Sequence, residues 1–251
     1  MTGGAMGWTI FMHSVRMVLD NLGPALRVSA VLYLLQAASQ ILTFFMPQAD
    51  PTAGDPTVAP VAAGELLILM VLALIASLWI AVGWHRFVLT GETPRGWLPA
   101  WHGSEILSYL GRSIVIGLLI GLGIAVIGGL AMGAAMAVPG LMGMVAFGLV
   151  GLASYVFFRI GLILPAAALG EKLSLGESWQ ATAKDDKAIL VLALIVMAGQ
   201  FLISVPAMID GNSSSVISLV YSIVVNWFAT MIGISVLTTL YGYFVEGRSL
   251  D

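Results

Sequence analysis

The chain contains no cysteine. Disulfides, thiolate nucleophiles and cysteine-ligated metals are therefore excluded, while the compartment stays open. Charge is nearly as scarce. Only 9% of the 251 residues are Asp, Glu, Lys or Arg, against roughly 25% in a soluble domain. So few charges cannot solvate the outside of a globule, and lipid is the expected solvent for much of the surface. The net charge of −3 supplies no basic field for nucleic acid. Residues Met1 to Gly7 lack the basic region and cleavage site of a signal peptide. His13, His85 and His102 are too few for a metal centre. There is no Walker motif, no dinucleotide fingerprint in a strand–helix context and no Gly-x-Ser-x-Gly elbow. The carboxylates Asp50, Asp55, Glu65 and Asp210 are scattered, with no supporting base or nucleophile. The expectation is no catalytic residue, no cofactor and no metal.

What the chain has in quantity is apolar length, with a mean hydropathy of +1.01. A membrane span needs roughly 20 apolar residues, and six stretches qualify: about 24–46, 64–89, 105–138, 141–169, 187–209 and 216–245. Residues 47–63 and 210–215 read as loops, and Pro139-Gly140 as a tight turn. The ten Lys and Arg residues check that count. Arg16, Arg27, Arg86, Arg95, Arg112, Arg159, Lys172, Lys184, Lys187 and Arg248 all fall on or toward one side, and the first, third and fifth connections carry none. By the positive-inside rule that side is the cytoplasm. The fold class is therefore all-α. Residues 1–251 form a single integral membrane domain of six spans in three helical hairpins, with both termini cytoplasmic in the inner membrane of a bacterium. Two amphipathic interfacial helices complete it. The first, near 8–22, has Trp8, Phe11, Val15, Val18, Leu19 and Leu22 on its apolar face. The second, 174–186, opens with the capping-box pattern Ser174-x-x-Glu177. Leu175 and Trp179 share one face of it, Ser178 and Thr182 the next.

Several residues stand out against this frame. Arg159 lies in an apolar run, where an arginine at membrane depth costs roughly 2.5–3.5 kcal/mol and needs a partner. Pro165 frees a backbone carbonyl near Gly161. That carbonyl, Glu171 or Glu105 is the expected partner; otherwise the guanidinium snorkels to the interface. Arg159, Arg86, His85 and Trp179 are the candidates for holding an anion or a lipid phosphate. Trp79, Trp84, Trp97, Trp101 and Trp179 suit an interfacial belt. In the third span Gly117-x-x-x-Gly121 and Gly129-x-x-x-Gly133 place small residues one turn apart, the pattern for close helix packing. Either the fourth span or another subunit, including a second copy, would be the partner. The first two hairpins end alike, with Arg86, Gly91-Glu92 and Trp97 in one and Arg159, Gly170-Glu171 and Trp179 in the other. The third ends in Glu246-Gly247, which hints at a parallel repeat.

The run Arg159-Ile-Gly-Leu-Ile-Leu-Pro165, then Gly170-Glu171, then Leu175-Gly-Glu-Ser178-Trp179-Gln-Ala-Thr182 resembles bacterial YciC-like membrane proteins. It is also similar to the membrane domain found with some glycerophosphodiester phosphodiesterases. The likeness covers residues 159–187, and elsewhere only hydropathy and helix number agree. It implies the architecture and a role for Arg159, Pro165, Ser178, Trp179 and Thr182 at the cytoplasmic face. The phosphodiesterase activity belongs to a separate soluble domain in that group and is not carried over.

Three functional readings follow. The first is a non-enzymatic accessory, scaffold or lipid-interacting subunit whose partners are membrane lipids and other membrane subunits. The second is a small transporter or channel with a cavity near Arg159 and Pro165. The third is an enzyme acting on lipid head groups.

Overall fold

The computed structural model describes residues 3–45, 60–136, 138, 140–210 and 215–250. Among these described residues nine α-helices follow in order: α1 (Gly3–Leu19), α2 (Leu22–Phe45), α3 (Pro60–Thr90), α4 (Gly103–Ala135), α5 (Leu141–Ile160), α6 (Ile163–Ala168), α7 (Leu175–Thr182), α8 (Asp186–Asp210) and α9 (Val216–Phe244). A 3₁₀ turn, Ala183–Asp185, joins α7 to α8, and no strand occurs among the described residues. Six segments are long and apolar enough to cross a membrane: Leu22–Leu42, Leu67–Thr90, Gly103–Ala135, Leu141–Ile160, Leu175–Pro206 and Val216–Phe244. The protein is an all-α polytopic membrane protein. The expected loop over 47–63 lies outside the described residues except for its last part, which belongs to α3 with Pro60 at the helix start. Of the Asp210–Ser215 turn, residues 211–214 also lie outside them. Pro139 does too, while Gly140 takes the turn's left-handed φ of 90°.

One end of the bundle is stitched together by arginines. Helices α3, α6 and α9 each stop at a glycine in the left-handed region, Gly91 (φ 74°), Gly170 (φ 75°) and Gly247 (φ 70°). The helix-end carbonyls that remain attract cations. Arg86 Nη1 donates to Ala168 O at the end of α6 (3.2 Å), and Arg248 Nη2 to Leu89 O at the end of α3 (2.7 Å). Arg112 donates to Ile163 O (2.7 Å) and Glu171 O (2.9 Å). The carboxylate beside each glycine is also engaged: Glu92 by Arg86, Glu171 by the Tyr241 hydroxyl and Glu246 by Arg248. These contacts bring together the ends of α3, α6 and α9 with the start of α4. Of the ten basic residues, Arg86, Arg112 and Arg248 make these contacts.

Packing is densest at this basic end. The buried positions of α8 run from Ala188 to Met197, and those of α9 from Trp227 to Phe244, its C-terminal half. Beyond them the helices expose apolar side chains such as Leu118, Leu130, Leu202, Ile217 and Val220, as lipid-facing surfaces do. The third hairpin is splayed. Tyr221 reaches Ile203 O (3.5 Å) near its loop, but toward the basic end α1 lies between α8 and α9. Gly7 of α1 sits against Ala188 and Val191, and Ser14 Oγ lies 2.9 Å from Thr239 Oγ1. At 1.5 Å per residue, Ala188 is about 3 Å inside α8 and Thr239 about 8 Å inside α9. Helix α1 therefore packs against α8 and α9 near their basic ends. Its buried stripe is Gly7, Ile10, Ser14 and Val18, whereas Trp8, Leu19 and Leu22 of the expected apolar face are exposed.

The α4 glycines depart from expectation as well. A Cβ at Gly117, Gly121, Gly129 or Gly133 would meet nothing within 4 Å. Helices α4 and α5 meet instead at Gly128, whose Cβ would lie 3.0 Å from Leu149. Gly128 is one residue, or about 100° around the helix, from Gly129. Gly129 and Gly133 are thus turned away from the packed seam, whereas Gly117 and Gly121, about three and two turns before Gly128, share its face where nothing stands opposite them.

Candidate functional site

Arg159 ends α5 and is 4% exposed. None of its three expected partners holds it. Gly161 O accepts from Leu164 N (3.0 Å), Glu171 is taken by Tyr241, and Glu105 accepts from Ser104 (2.7 Å). Arg159 Nη1 instead lies 3.1 Å from Asp186 Oδ1. The guanidinium carbon sits 4.3 Å from the Trp179 ring centroid and 5.8 Å from that of Tyr155, whose hydroxyl donates to the same Asp186 carboxylate. Nε and Nη1 are buried without a hydrogen bond. The group is held by one carboxylate and two aromatic faces, and Asp186 fills the place that an anion would take.

Helix α7 makes this enclosure. Its capping box forms as expected: Glu177 N donates to Ser174 Oγ (3.2 Å), and Ser174 N to Glu177 Oε2 (2.7 Å). Its buried face is the polar one. Ser178 Oγ donates to Arg159 O (2.8 Å), and Thr182 Oγ1 lies 3.3 Å from that oxygen. The structure thus brings Arg159, Ser178, Trp179 and Thr182 into one cluster. Pro165 is buried in the first turn of α6, where no N–H is needed. The helix break falls earlier, at Gly161, whose Cβ would lie 2.6 Å from Phe157 O and 3.0 Å from Leu237.

The other anion candidates are also spoken for. Arg86 Nε donates to Glu92 Oε2 (2.6 Å), and His102 Nε2 is 2.7 Å from Glu92 Oε1. His85 is fully buried, with Nδ1 2.8 Å from Thr238 Oγ1 and Nε2 3.4 Å from the Tyr109 hydroxyl. Trp84 leaves the expected belt for the core, donating to Ser235 Oγ (2.7 Å), while Trp97, Trp101 and Trp179 remain exposed. Hydropathy gives no means of separating these cases, because core and lipid-facing positions in a membrane protein carry the same residue types.

The Arg86–Glu92–His102 clamp closes the loop between α3 and α4. Burial acts to raise the Glu92 carboxyl, but hydrogen bonds from His102 and Arg86, with Arg86's charge, outweigh it and hold the carboxyl below the usual range. A depressed folded-state value means that the clamp's contribution is present above the unfolded value of 4.5 and is lost as pH falls through the folded one. A spin label at Gly96→Cys, where a side chain meets open space, is expected to stay immobile at neutral pH and to loosen on acidification below that range. In Glu92→Gln the label should be mobile at both pH values.

Beyond the basic end lies a cavity of about 880 Å³ between α4, α5, α8 and α9, reached by Phe11 of α1. Tyr109, Ser113, Gly117 and Gly121 line it from α4, Phe157 and Phe158 from α5, Gln200 from α8 and Thr230 from α9. The α4 lining runs from residue 109 to 121, about 18 Å at the helical rise and comparable to one leaflet's share of the roughly 30 Å hydrocarbon core. Helices α8 and α9 barely touch, so the space opens sideways. Phe158 and Leu164 line it, but Arg159 and Pro165 do not. Its walls come from splayed helices of unremarkable composition, and only the glycine face of α4 signalled it in the sequence. Compared with protein-family models, curated proteins and solved structures, the chain matches none of them.

Proposed function

We propose that this is a non-enzymatic multi-pass protein of the bacterial inner membrane, with both termini cytoplasmic, that takes a bilayer lipid into its lateral cavity. It serves a membrane assembly as a lipid-interacting subunit. The carrying observation is the cavity itself: apolar, about 880 Å³, open between helices and as deep as a leaflet. The distribution of the ten basic residues along the sequence, with none in the first, third and fifth connections, supports the orientation. The non-enzymatic part is supported by the engagement of Arg86, Arg112, Arg159 and Arg248 with carboxylates and helix-end carbonyls, which leaves these cations structural roles. The likeness of residues 159–187 to YciC-like proteins fits the same reading, since it falls on the Arg159 enclosure.

Substitution of Gly117 or Gly121 tests it. Neither Cβ meets a neighbour, so Gly117→Phe and Gly121→Phe should fold normally while filling the cavity with a ring. Lipid retained per protein in mild detergent, read by native mass spectrometry, is expected to fall roughly tenfold, equivalent to about 1.4 kcal/mol of affinity. Wild-type protein that purifies free of lipid, or variants that keep the wild-type load, would sink the reading.

A further inference from the structure

Building on the lipid-binding reading, we infer that the cavity selects an uncharged, hydroxyl-bearing lipid over charged phospholipids, and that Tyr109 accepts the lipid's hydroxyl. Among the described residues, none that lines the cavity carries a formal charge. Tyr109 and Ser113 stand six and ten residues into α4, about 9 and 15 Å from its start. A phosphate brought beside these two residues would meet no free cation, and a charge left unpaired away from water is a costly placement. The nearest candidates are occupied: Arg112 donates to Ile163 O and Glu171 O, and Arg159 is enclosed by Asp186 and Trp179.

The lining is apolar but not inert. Among the described residues, Ser113, Ser154, Gln200 and Thr230 reach the cavity from four helices and make no side-chain hydrogen bond with the protein. Hydroxyls and a carboxamide left unpaired against hydrocarbon are poised for a ligand that brings its own donors and acceptors. Tyr109 sets the polarity at the end of the cavity nearest the start of α4. Thr238 Oγ1 donates its proton to Ile234 O (2.9 Å), so it must accept from His85 Nδ1–H (2.8 Å). That tautomer leaves His85 Nε2 as an acceptor, and the Tyr109 hydroxyl donates to it across 3.4 Å. With its proton committed to His85, the Tyr109 oxygen can only accept, so this cavity-lining residue is matched to a hydroxyl donor. Diacylglycerols and polyprenols both carry that group.

Photoreactive lipids in nanodiscs of phosphatidylethanolamine, with the full chain embedded, test the inference. Four probes are used at equal mole fraction: a diacylglycerol, a polyprenol, the O-methylated diacylglycerol and a phosphatidylglycerol. The expected result is labelling of α4, α5, α8 and α9 cavity peptides by one of the hydroxyl probes at least tenfold above phosphatidylglycerol. Which hydroxyl probe labels identifies the apolar body. The methylated probe should fall to the phosphatidylglycerol level, and Ser113→Ala and Tyr109→Phe should each reduce the preference, Tyr109→Phe the more. Ser113→Ala keeps the test valid if Tyr109→Phe perturbs folding. Equal cavity labelling by the hydroxyl and phosphatidylglycerol probes would overturn the selectivity and leave lateral lipid binding standing. Cavity labelling by the methylated probe equal to its parent would overturn the role of Tyr109. No cavity labelling by any probe would overturn both readings.

Discussion

Asp186→Asn is expected to destabilise the protein more than Arg159→Met, although Asp186 is the exposed member of the pair. The Asp186 side chain is 61% exposed and that of Arg159 4%. Removing the carboxylate leaves a guanidinium enclosed by Trp179 and Tyr155 with no counter-charge, and its Nε and Nη1 already lack hydrogen bonds. Stranding a buried charge typically costs about 3–5 kcal/mol. The open edge of this site brings the expected figure to about 2–3 kcal/mol. Removing the arginine instead leaves a solvated carboxylate that still accepts from the Tyr155 hydroxyl. Methionine keeps the stem's packing and places a thioether against Trp179. The loss is then mainly the cation–π contact, about 1 kcal/mol. The double variant Arg159→Met/Asp186→Asn should resemble Arg159→Met alone, because no buried charge remains to be stranded. Thermal melting of the three variants in one detergent checks the order. An Arg159→Met loss equal to or greater than that of Asp186→Asn would mean that aromatic stacking, not charge compensation, holds the site.

The pairing also shows where the sequence stops being informative. Hydropathy sets most spans to within a few residues, as 187–209 against Asp186–Asp210 and 216–245 against Val216–Phe244 show. The fourth, read as 141–169, stops at Ile160 because the helix breaks at Gly161 and resumes as α6. Six spans need only a long apolar run, and a capping box needs only Ser174 and Glu177 three apart. The partner of Arg159, by contrast, lies 27 positions later and arrives only because α7 folds back onto α5 through Ser178 and the Arg159 carbonyl. Position along the chain favoured Glu171 and Glu105, and tertiary placement gave one to Tyr241 and the other to Ser104. His85 and Trp84 failed for another reason. In a membrane protein the core and the lipid-facing surface draw on one apolar alphabet, so a residue at a helix end reads as interfacial whether it faces lipid or a neighbouring helix. The same ambiguity hid the cavity, whose walls differ from lipid-facing surface only in what stands opposite them.

It also misplaced the glycines, and here the consequence is large. Gly7→Leu is expected to detach α1, whereas Gly129→Leu and Gly133→Leu should be nearly silent despite their place in a recognisable packing motif. A Cβ at Gly7 would lie 2.6 Å from Ala188 O and 3.0 Å from Val191 Cβ. The first of these is backbone in the opening turns of α8, which cannot rotate away as a side-chain tip would. Relief requires moving one helix off the other, and overpacking of this kind costs typically about 1–3 kcal/mol. The shift would open the Ser14–Thr239 contact and withdraw Ile10, fully buried in the main core. Because the chain has no native cysteine, Ser14→Cys/Thr239→Cys provides a clean reporter. Those two hydroxyl oxygens lie 2.9 Å apart, so the pair should crosslink readily in the otherwise native protein. Adding Gly7→Leu should reduce the crosslink by roughly tenfold or more, as about 1.4 kcal/mol or more of lost docking requires. Adding Gly129→Leu or Gly133→Leu should leave it unchanged. The opposite pattern would place the decisive close approach on the α4 stripe, and α1 would then be a surface helix with no part in holding α8 and α9 in place.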